Sequence, residues 1–312
     1  MRGLGNAALA TVRDKVAPGG RVVRVRPLHG GIASSVYLVH LESDSARRQA
    51  VVVRRYGAYS REHDPEASQR EFTILNVLSR QGLPVPKPFF VEPGASPFLV
   101  MSRVAGRPLL APRDLTDYVR QTAETLVRLH AVSLEGLEFL ADQRVYTERA
   151  LRPDLRPHGD PLQEAVWEAA LRLWPRLGQA RRTLVHGDYW PGNILWSRGR
   201  LVGVIDWEQP RLGDPTKDVA TCRGDLSILF GLDAAAEFLQ HYLGAGGTVS
   251  NLEFWDLLVS TWAVREIETW ASVYPLLGRP ELTPEVARQR IRAFAQAALD
   301  GSRRSGHHSA HA

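Results

Sequence analysis

Two short apolar runs that end in polar residues constrain this chain more than any other feature. The first is LVHGDYWPGNILW, from Leu184 to Trp196, and the second is VGVIDWEQP, from Val202 to Pro210. Runs of Leu, Val and Ile are typical of strands, and functional side chains gather where such strands end. These runs place Asp188, Asn193 and Asp206 in positions of that kind.

The three side chains share one chemistry, because all of them offer hard oxygen atoms. Mg²⁺ prefers such oxygens and completes its shell with phosphate oxygens, and a carboxylate can also accept a proton. A single aspartate beside a strand is more often a turn residue. Asn193, however, follows Asp188 by five residues, and Asp206 follows it by eighteen. The combined pattern favours a catalytic or metal-binding role for these residues over three unrelated turn residues.

The order and spacing of these residues resemble those of protein kinases, in which a catalytic loop H-R-D-x-x-x-x-N precedes a metal-binding aspartate. Here Gly187 replaces the arginine, and Trp207 and Glu208 replace the Phe-Gly that follows the second aspartate. A G-D-P-x-x-D motif then occupies residues 213–218. With these variations, the chain resembles the aminoglycoside phosphotransferase and choline kinase family. The likeness is highly specific in this segment and extends more loosely over about residues 20–275.

The resemblance implies an α+β fold of the two-lobed, protein-kinase-like type, with ATP or GTP in the cleft. Residues 1–101 are expected to form a small lobe, with a five-stranded antiparallel sheet and one helix. Residues 102–300 are expected to form a mainly helical lobe with the hinge, the catalytic loop and the substrate helices. Residues 301–312 are small and polar, and they are predicted to be a disordered tail.

The resemblance also implies a role for each residue of the motifs. Asp188 would orient the acceptor hydroxyl and receive its proton, whereas Asn193 and Asp206 would bind Mg²⁺ against the phosphates. Asp218 matches the family's buried aspartate, which braces the catalytic loop. His186 is expected to support that loop rather than to transfer a proton.

The segment Leu28–Ser35, between the first two predicted strands, contains Gly30, Gly31, Ser34 and Ser35. Glycines let a backbone approach a ligand closely, and small hydroxyl groups can donate to phosphate oxygens. Taken alone, the segment fits an ordinary hairpin loop equally well. Beside the catalytic motifs, we interpret it as the loop that covers the nucleotide phosphates.

A cation at the end of the third predicted strand, AVVVRRY, is expected to bind the nucleotide phosphates. Side chains alternate along a strand, so only one of Arg54 and Arg55 can point inward. The match to the kinase V-A-I-K selects Arg54. Glu71 on the following helix is its expected partner, with Glu66 as the alternative. The competing interpretation of Arg54 is an exposed arginine on a strand.

The remaining assignments concern the hinge and the helices. The family likeness places a hinge whose backbone binds adenine near Ser102 and Val104, on the basis of position alone. In the helical stretch from Asp114 to Ala131, His130 is interpreted as a structural residue. Trp262, with other large apolar side chains of the last third, is expected to lie mostly in the core.

The composition excludes several other kinds of protein. Its 44% hydrophobic and 23% charged residues are typical of a globular chain. We find neither a secretory signal nor a membrane-spanning run, so we expect a cytoplasmic location without a membrane partner. Cys222 is the single cysteine, which excludes an internal disulfide and a cysteine-rich metal site.

The net charge of +5 would permit a nucleic-acid partner, but its distribution argues against one. The arginines are scattered along predicted helices instead of forming a basic stripe with interleaved aromatic residues. Residues 206–285 carry 13 acidic and 5 basic side chains, which suits either an amine-bearing acceptor or a solvated helix face. The acidic candidates for an acceptor site are Glu208, Asp225, Glu266 and Glu268.

The sequence therefore predicts an ATP- and Mg²⁺-dependent phosphotransferase. It would move the γ-phosphate to a hydroxyl of a small molecule similar to an aminoglycoside, an amino alcohol or a sugar. The alternative is a nucleotide-binding regulatory module, which the complete set of Asp188, Asn193 and Asp206 disfavours. A protein kinase is disfavoured because the chain lacks an A-P-E element and leaves no room for an activation segment. The acceptor, the choice between ATP and GTP, and the oligomeric state stay open.

Overall fold

A computed structural model describes residues 4–28, 34–57, 62, 64–178 and 180–308 of the chain. The chain forms two compact units. The first comprises Met1–Ala105 and Gly203–Glu208, and the second comprises Gly106–Val202 and Gln209–Ala312.

The return of residues 203–208 to the first unit depends on contacts between distant parts of the sequence. The backbone N–H of Val204 donates to the carbonyl oxygen of Pro84 at 2.7 Å. Asp206 is therefore part of the unit that carries the five-stranded sheet. The sequence prediction placed one boundary after residue 101, so it did not assign residues 203–208 to the first unit.

The first unit is built on an antiparallel sheet of five strands with the order β1-β2-β3-β5-β4. Val-rich segments with alternating polar residues form its first three strands, as their period of two predicts. Among the described residues of this unit, helices α1 and α2 accompany the sheet. The elements are α1 (Asn6–Val16), β1 (Arg21–Leu28), β2 (Ser34–Glu42), β3 (Arg48–Tyr56), α2 (Ala67–Arg80), β4 (Pro88–Glu92) and β5 (Phe98–Ser102).

The two faces of strand β3 contact different helices. Val51 and Val53 are buried in an apolar cluster that also contains Val12 of α1. Arg54 and Tyr56 alternate with them, point to the opposite face and reach side chains of α2. The register of β3 therefore decides which arginine faces α2, and Arg54 is that residue.

Helix α2 begins shortly after the Asp64-Pro65 pair, a combination that often starts a helix. Its first residue is Ala67, and Glu66 occupies the N-cap position without a side-chain hydrogen bond. The carbonyl oxygen of Asp64 accepts from Ala67 N at 3.1 Å. The Asp64 carboxylate instead forms an ion pair with Arg70, so it is unavailable as a cap.

The second unit is mainly helical, as predicted, and its apolar core lies largely among helices α5, α6, α8 and α9. None of the helices in the described part of the chain is long and apolar enough to cross a bilayer. The helices are α3 (Leu115–His130), α4 (Gln143–Ala150), α5 (Pro161–Leu173), α6 (Thr216–Phe230), α7 (Leu232–Gly244), α8 (Leu252–Ala271) and α9 (Pro284–His308). The short strands are β6 (Arg107–Pro108), β7 (Thr183–Val185), β8 (Ile194–Ser197), β9 (Arg200–Val204, which ends in the first unit) and β10 (Arg211–Gly213).

Two features of the second unit differ from the sequence prediction. Trp262 is 47% exposed instead of buried, although Leu257 and Ile267 on the same helix are in the core. Helix α9 continues to His308, so residues 301–308 are helical where disorder is predicted. Gln296 Nε2 donates to Asp300 Oδ1 one turn away, at 2.9 Å, which supports the helix near its extension. Residues 309–312 lie outside the described part of the chain.

Candidate active site

The catalytic-loop motif lies in the second unit, between strands β7 and β8. Strand β7 pairs with β10, and the chain then turns at Gly187, whose φ is +86°. A Cβ on this residue would lie 2.3 Å from the carbonyl oxygen of Gln209. Any other residue would have a strained backbone at this φ, and its Cβ would collide with the Gln209 carbonyl. Glycine is therefore required where protein kinases have arginine.

Asp188 and Asn193 are held together directly. Asn193 Nδ2 donates to the carbonyl oxygen and to the carboxylate Oδ2 of Asp188, each at 3.0 Å. A short 3-10 turn over Pro191–Asn193 returns the amide to this position. Since its NH₂ group is bonded to Asp188, Asn193 has its carbonyl oxygen left as the ligand atom for a cation.

Asp218 braces the loop from helix α6, as predicted. Its buried carboxylate accepts from the backbone N–H groups of His186 at 2.6 Å and Gly187 at 2.9 Å. Burial disfavours the charged carboxylate, but the hydrogen bond to His130 and nearby positive charge hold the pKa of Asp218 below its ordinary value. His130 is buried between Asp218 and the Tyr242 hydroxyl, at 3.3 and 2.8 Å, which confirms its structural role.

The first unit holds a second group of polar side chains around Arg54, whose side chain is only 8% exposed. Its Nη1 lies 3.1 Å from Glu71 Oε1, so the predicted ion pair is present. Its Nη2 lies 2.7 Å from Asp206 Oδ1 and also pairs with Glu208. Its Nε donates to Ser34 Oγ at 3.1 Å. One guanidinium thus joins strand β2, helix α2 and the segment after β9.

The carboxylates of this group keep Arg54 charged, and Arg54 and Tyr56 together orient Glu71. Burial lowers the pKa of Arg54, but its three carboxylate partners more than offset that effect, and its pKa lies well above the ordinary value. Burial raises the pKa of Glu71, and the Arg54 charge opposes this only in part. The Tyr56 hydroxyl donates to Glu71 Oε2 at 2.5 Å. Glu71 is thereby oriented from two sides.

Glu208 is a site residue that the sequence analysis assigned only to an acceptor site. Asp206 has a φ of +68°, a conformation that aspartate tolerates better than most residues. Trp207 is buried and donates from Nε1 to Val204 O at 3.1 Å. Glu208 then lies on the same side as Asp206, and both contact Arg54 Nη2. Both residues lie in the turn that follows β9, so the geometry of this turn brings the two carboxylates together, and no strand or helix period in the sequence indicates it.

The structure describes some of the other residues that were predicted to bind the nucleotide, but not all of them. Gly30 and Gly31 lie outside the described residues. Ser34 is described and bonds Arg54, while Ser35 follows it in β2. At the predicted hinge, the backbone N–H of Ser102 donates to the carbonyl oxygen of Lys87 at 2.8 Å, so this N–H is already paired. Val104 lies beside Gly203, where a Cβ would come within 2.8 Å of it.

Replacing Arg54 should affect both stability and nucleotide binding. Arg54→Ala leaves three carboxylates without their shared counter-charge, and breaking such a buried pair costs about 3–5 kcal/mol. We expect a lower melting temperature and little further stabilisation by ATP with Mg²⁺. Arg54→Lys keeps the charge but cannot bridge all of the partners, so it should fold better and still respond weakly to nucleotide. Thermal unfolding with and without nucleotide measures both effects.

Arg55→Ala is the matched control, because Arg55 lies on the opposite face of the same strand and is more exposed than Arg54. It should alter the nucleotide response much less than Arg54→Ala does. Glu71→Gln should weaken the response in the same direction as Arg54→Ala, but by less. A larger effect from Arg55→Ala would show that the phosphate-binding arginine is misassigned.

Comparison with known proteins identifies the family. A model described as APH, the phosphotransferase enzyme family, matches residues 24–258, which is well over half of the chain. The chain belongs to this family. The predicted membership of the kinase-like phosphotransferases is therefore confirmed, and the matched range contains both groups of polar residues described above.

The relatives of this family member have several different names. Human acyl-CoA dehydrogenase family member 11 is 26% identical over 63% of this chain and 30% of its own length. Viomycin phosphotransferase of Streptomyces vinaceus is 28% identical over 50% of this chain and 56% of its own length. Homoserine kinase of Zymomonas mobilis is 23% identical over 62% of both chains. The chain thus spans less than two thirds of each of these relatives.

Solved structures confirm the predicted fold class, α+β of the protein-kinase-like type. A thermostable mutant of aminoglycoside phosphotransferase APH(4)-Ia, solved with AMP-PNP and hygromycin B, has a TM-score of 0.64 at 17% identity. The match covers 95% of this chain and 98% of that one. Macrolide 2'-phosphotransferase MphH of Brachybacterium faecium has a TM-score of 0.61 at 18% identity, over 92% and 98% of the two chains. At these identities, the likeness is evidence for the fold alone.

Proposed function

We propose that this family member is an ATP- and Mg²⁺-dependent phosphotransferase that moves the γ-phosphate to a hydroxyl of a small molecule. One observation carries the proposal. The Asp188 carboxylate is held by Asn193 at 3.0 Å, in a loop whose backbone is bonded to a buried carboxylate. That is the arrangement a phosphotransferase needs to orient an acceptor hydroxyl and to receive its proton.

Asp188 supplies the acid-base part of the proposed reaction. As the acceptor oxygen bonds to the γ-phosphorus and the bond to the β-phosphate oxygen breaks, the hydroxyl proton passes to Asp188. ADP leaves with the electron pair of the broken bond. Little covalent chemistry falls to the protein, so positioning and charge stabilisation account for most of the rate.

The residues fit a magnesium ion that is shared with a nucleotide. Among the described residues, no cluster of three or more His, Cys, Asp or Glu side chains could hold a metal by itself. Mg²⁺ usually takes only one or two protein ligands when phosphate oxygens complete its octahedron. We assign these ligands to Asn193 and Asp206, with Glu208 as a further carboxylate beside Asp206. When bound, the ion would neutralise the charge of the phosphates.

Arg54 is the cation of the proposed phosphate site. It contacts Asp206 and Glu208 in this structure. A cation bound to those carboxylates would weaken their hold on Arg54 and leave its guanidinium donors for phosphate oxygens. Glu71 and Ser34 would keep Arg54 in place during this exchange.

Asp225 is the acidic side chain that we propose for the acceptor site. Three of the four acidic candidates for an amine-bearing acceptor are ion-paired, since Glu208 contacts Arg54, Glu266 contacts Arg265, and Glu268 contacts Arg288. Asp225 is the exception among them. Burial raises its pKa well above the ordinary value, the charge of Asp188 adds to that effect, and the charge of Lys217 opposes it only in part. An amine or hydroxyl of the acceptor would relieve this penalty by bonding the Asp225 carboxylate.

Thermal unfolding and ATP turnover against a panel of acceptors test the proposal. ATP or GTP with Mg²⁺ should raise the melting temperature, because a ligand that binds only the folded protein stabilises it. Turnover should rise with at least one aminoglycoside, amino alcohol or sugar. If millimolar nucleotide with Mg²⁺ leaves the melting temperature unchanged, the proposed function is wrong.

A further inference from the structure

The peptide group between Gly187 and Asp188 is held on both of its edges. Its carbonyl oxygen accepts from Lys217 Nζ at 3.3 Å, and its N–H donates to His186 Nδ1 at 3.2 Å. The next carbonyl and side chain along the chain belong to Asp188. This peptide plane fixes the N–Cα bond of Asp188. The Asp188 carbonyl oxygen accepts from Asn193 Nδ2 and from Trp190 N, each at 3.0 Å, which fixes the next peptide plane. The two planes together set the direction in which the Asp188 side chain leaves the backbone.

Lys217 is the residue directly before Asp218, and the two act on neighbouring backbone groups of one loop. Asp218 accepts from the N–H groups of His186 and Gly187, whereas Lys217 donates to the Gly187 carbonyl. Two consecutive residues of helix α6 thus bind opposite edges of Gly187. Of these two residues, only Asp218 was predicted from the sequence to have a role.

The Lys217 ammonium is itself fixed by the helix. It donates to Thr221 Oγ1 at 2.6 Å, and the same hydroxyl donates to the Lys217 carbonyl oxygen at 2.9 Å. Lysine occurs in this chain only at positions 15, 87 and 217, within a total of 39 lysine and arginine residues. A compact ammonium can bond a hydroxyl and a carbonyl in a narrow space, whereas a planar guanidinium cannot replace it without rearrangement.

Several charged groups face the Lys217 ammonium. Burial is the largest influence and lowers the pKa of Lys217, and the positive charge of Arg211 acts in the same direction. The carboxylates of Asp218, Asp188 and Asp225 oppose this change. The charges of three carboxylates thus act on the ammonium, and one of them belongs to the proposed proton acceptor.

We propose that Lys217 is a positioning residue for phosphoryl transfer. It fixes the Gly187–Asp188 peptide plane and thereby the direction of the Asp188 carboxylate. This role rests on the proposed function of Asp188. It predicts that Lys217 influences the transfer step rather than the binding of nucleotide, because the residue acts through the backbone of the loop.

Lys217→Met is the principal test, because methionine is similar in length but has neither the charge nor the donors. With an acceptor identified from the panel, kcat should fall about 10- to 100-fold, as expected for a small misplacement of a reacting group. KM for ATP should stay unchanged. Thr221→Val removes the hydroxyl that fixes the ammonium, so it should lower kcat in the same direction by less.

A double-mutant cycle separates positioning from an independent effect. If Lys217 acts through Asp188, then Lys217→Met should cause no further loss of kcat in an Asp188→Asn background. Lys15→Met is the control for loss of a lysine, since Lys15 lies on α1 and pairs with Glu92. A full additional loss in the double variant, or a raised KM with unchanged kcat, would overturn the proposal.

Amide hydrogen exchange followed by NMR gives a readout that needs no acceptor. Lys217→Met should speed exchange of the Asp188 N–H, while the N–H groups of His186 and Gly187 stay protected by Asp218. If the Asp188 N–H exchanges equally slowly in the wild-type protein and in Lys217→Met, the proposed role of Lys217 is wrong. If the wild-type protein phosphorylates no acceptor, the proposed function fails, but this exchange measurement still decides whether Lys217 holds the peptide.

Discussion

Asp188→Asn should lower phosphoryl transfer about 10²- to 10⁴-fold, the usual contribution of a positioned acid-base group. The substitution keeps the size of the side chain, and its amide oxygen can still accept from Asn193 Nδ2, so the loop geometry should persist. It removes the negative charge and the proton acceptor. Nucleotide binding should survive, because Arg54, Asp206 and Glu208 are unchanged. Turnover and the nucleotide-induced shift in melting temperature should be measured on the same samples.

Asp218→Asn is the informative control for this prediction. The native carboxylate accepts two backbone N–H groups and lies against His130. An asparagine has only one acceptor oxygen, so a buried N–H would face an NH₂ group, at a cost of about 1–3 kcal/mol. Stability and turnover should fall together in this variant. If Asp188→Asn retains near-normal turnover at a matched folded fraction, Asp188 is not the catalytic aspartate.

Asp206→Asn should abolish most of the Mg²⁺-dependent stabilisation by nucleotide. A ligand present at 100 times its dissociation constant stabilises the folded state by about 2.7 kcal/mol, and this gain disappears when its metal is no longer bound. Asparagine is preferable to alanine here, because Asp206 has a φ of +68° and asparagine tolerates that conformation. Alanine would add backbone strain on the order of 1–2 kcal/mol.

The measurement compares melting temperatures without ligand, with ATP and EDTA, and with ATP and Mg²⁺. Without ligand, the melting temperature of the variant should differ only modestly from that of the wild type, since Arg54 keeps Glu71 and Glu208 as partners. The shift with EDTA should be similar in the two proteins, whereas the additional shift with Mg²⁺ should be lost in the variant. A full additional shift in Asp206→Asn would exclude Asp206 as the metal ligand. Glu208→Gln then tests whether the neighbouring carboxylate holds the ion instead.

Local patterns determined most of what was predicted correctly from the sequence. The period of two in AVVVRRY allowed only one of Arg54 and Arg55 to point inward, and the match to the kinase V-A-I-K selected Arg54. The spacing of Asp188 and Asn193 was sufficient to predict that they belong to one site, because five residues can close one turn. In the structure, Asn193 Nδ2 lies 3.0 Å from Asp188 Oδ2. Helical spacing of apolar residues located the helices of the second unit, since a buried stripe recurs with each turn. These features depend on residues that are close together in the chain.

The tertiary structure decided the contacts between distant segments. Arg54 meets Asp206 across 152 positions, Lys217 reaches the Gly187 carbonyl across 30, and the Gln209 carbonyl restricts Gly187 to glycine. No local period encodes such contacts, because they depend on how whole elements pack. The same limit applies to Trp262, whose helical spacing indicated a core residue although its side chain is 47% exposed. Spacing identifies the face of a helix, but only packing determines whether another element covers that face.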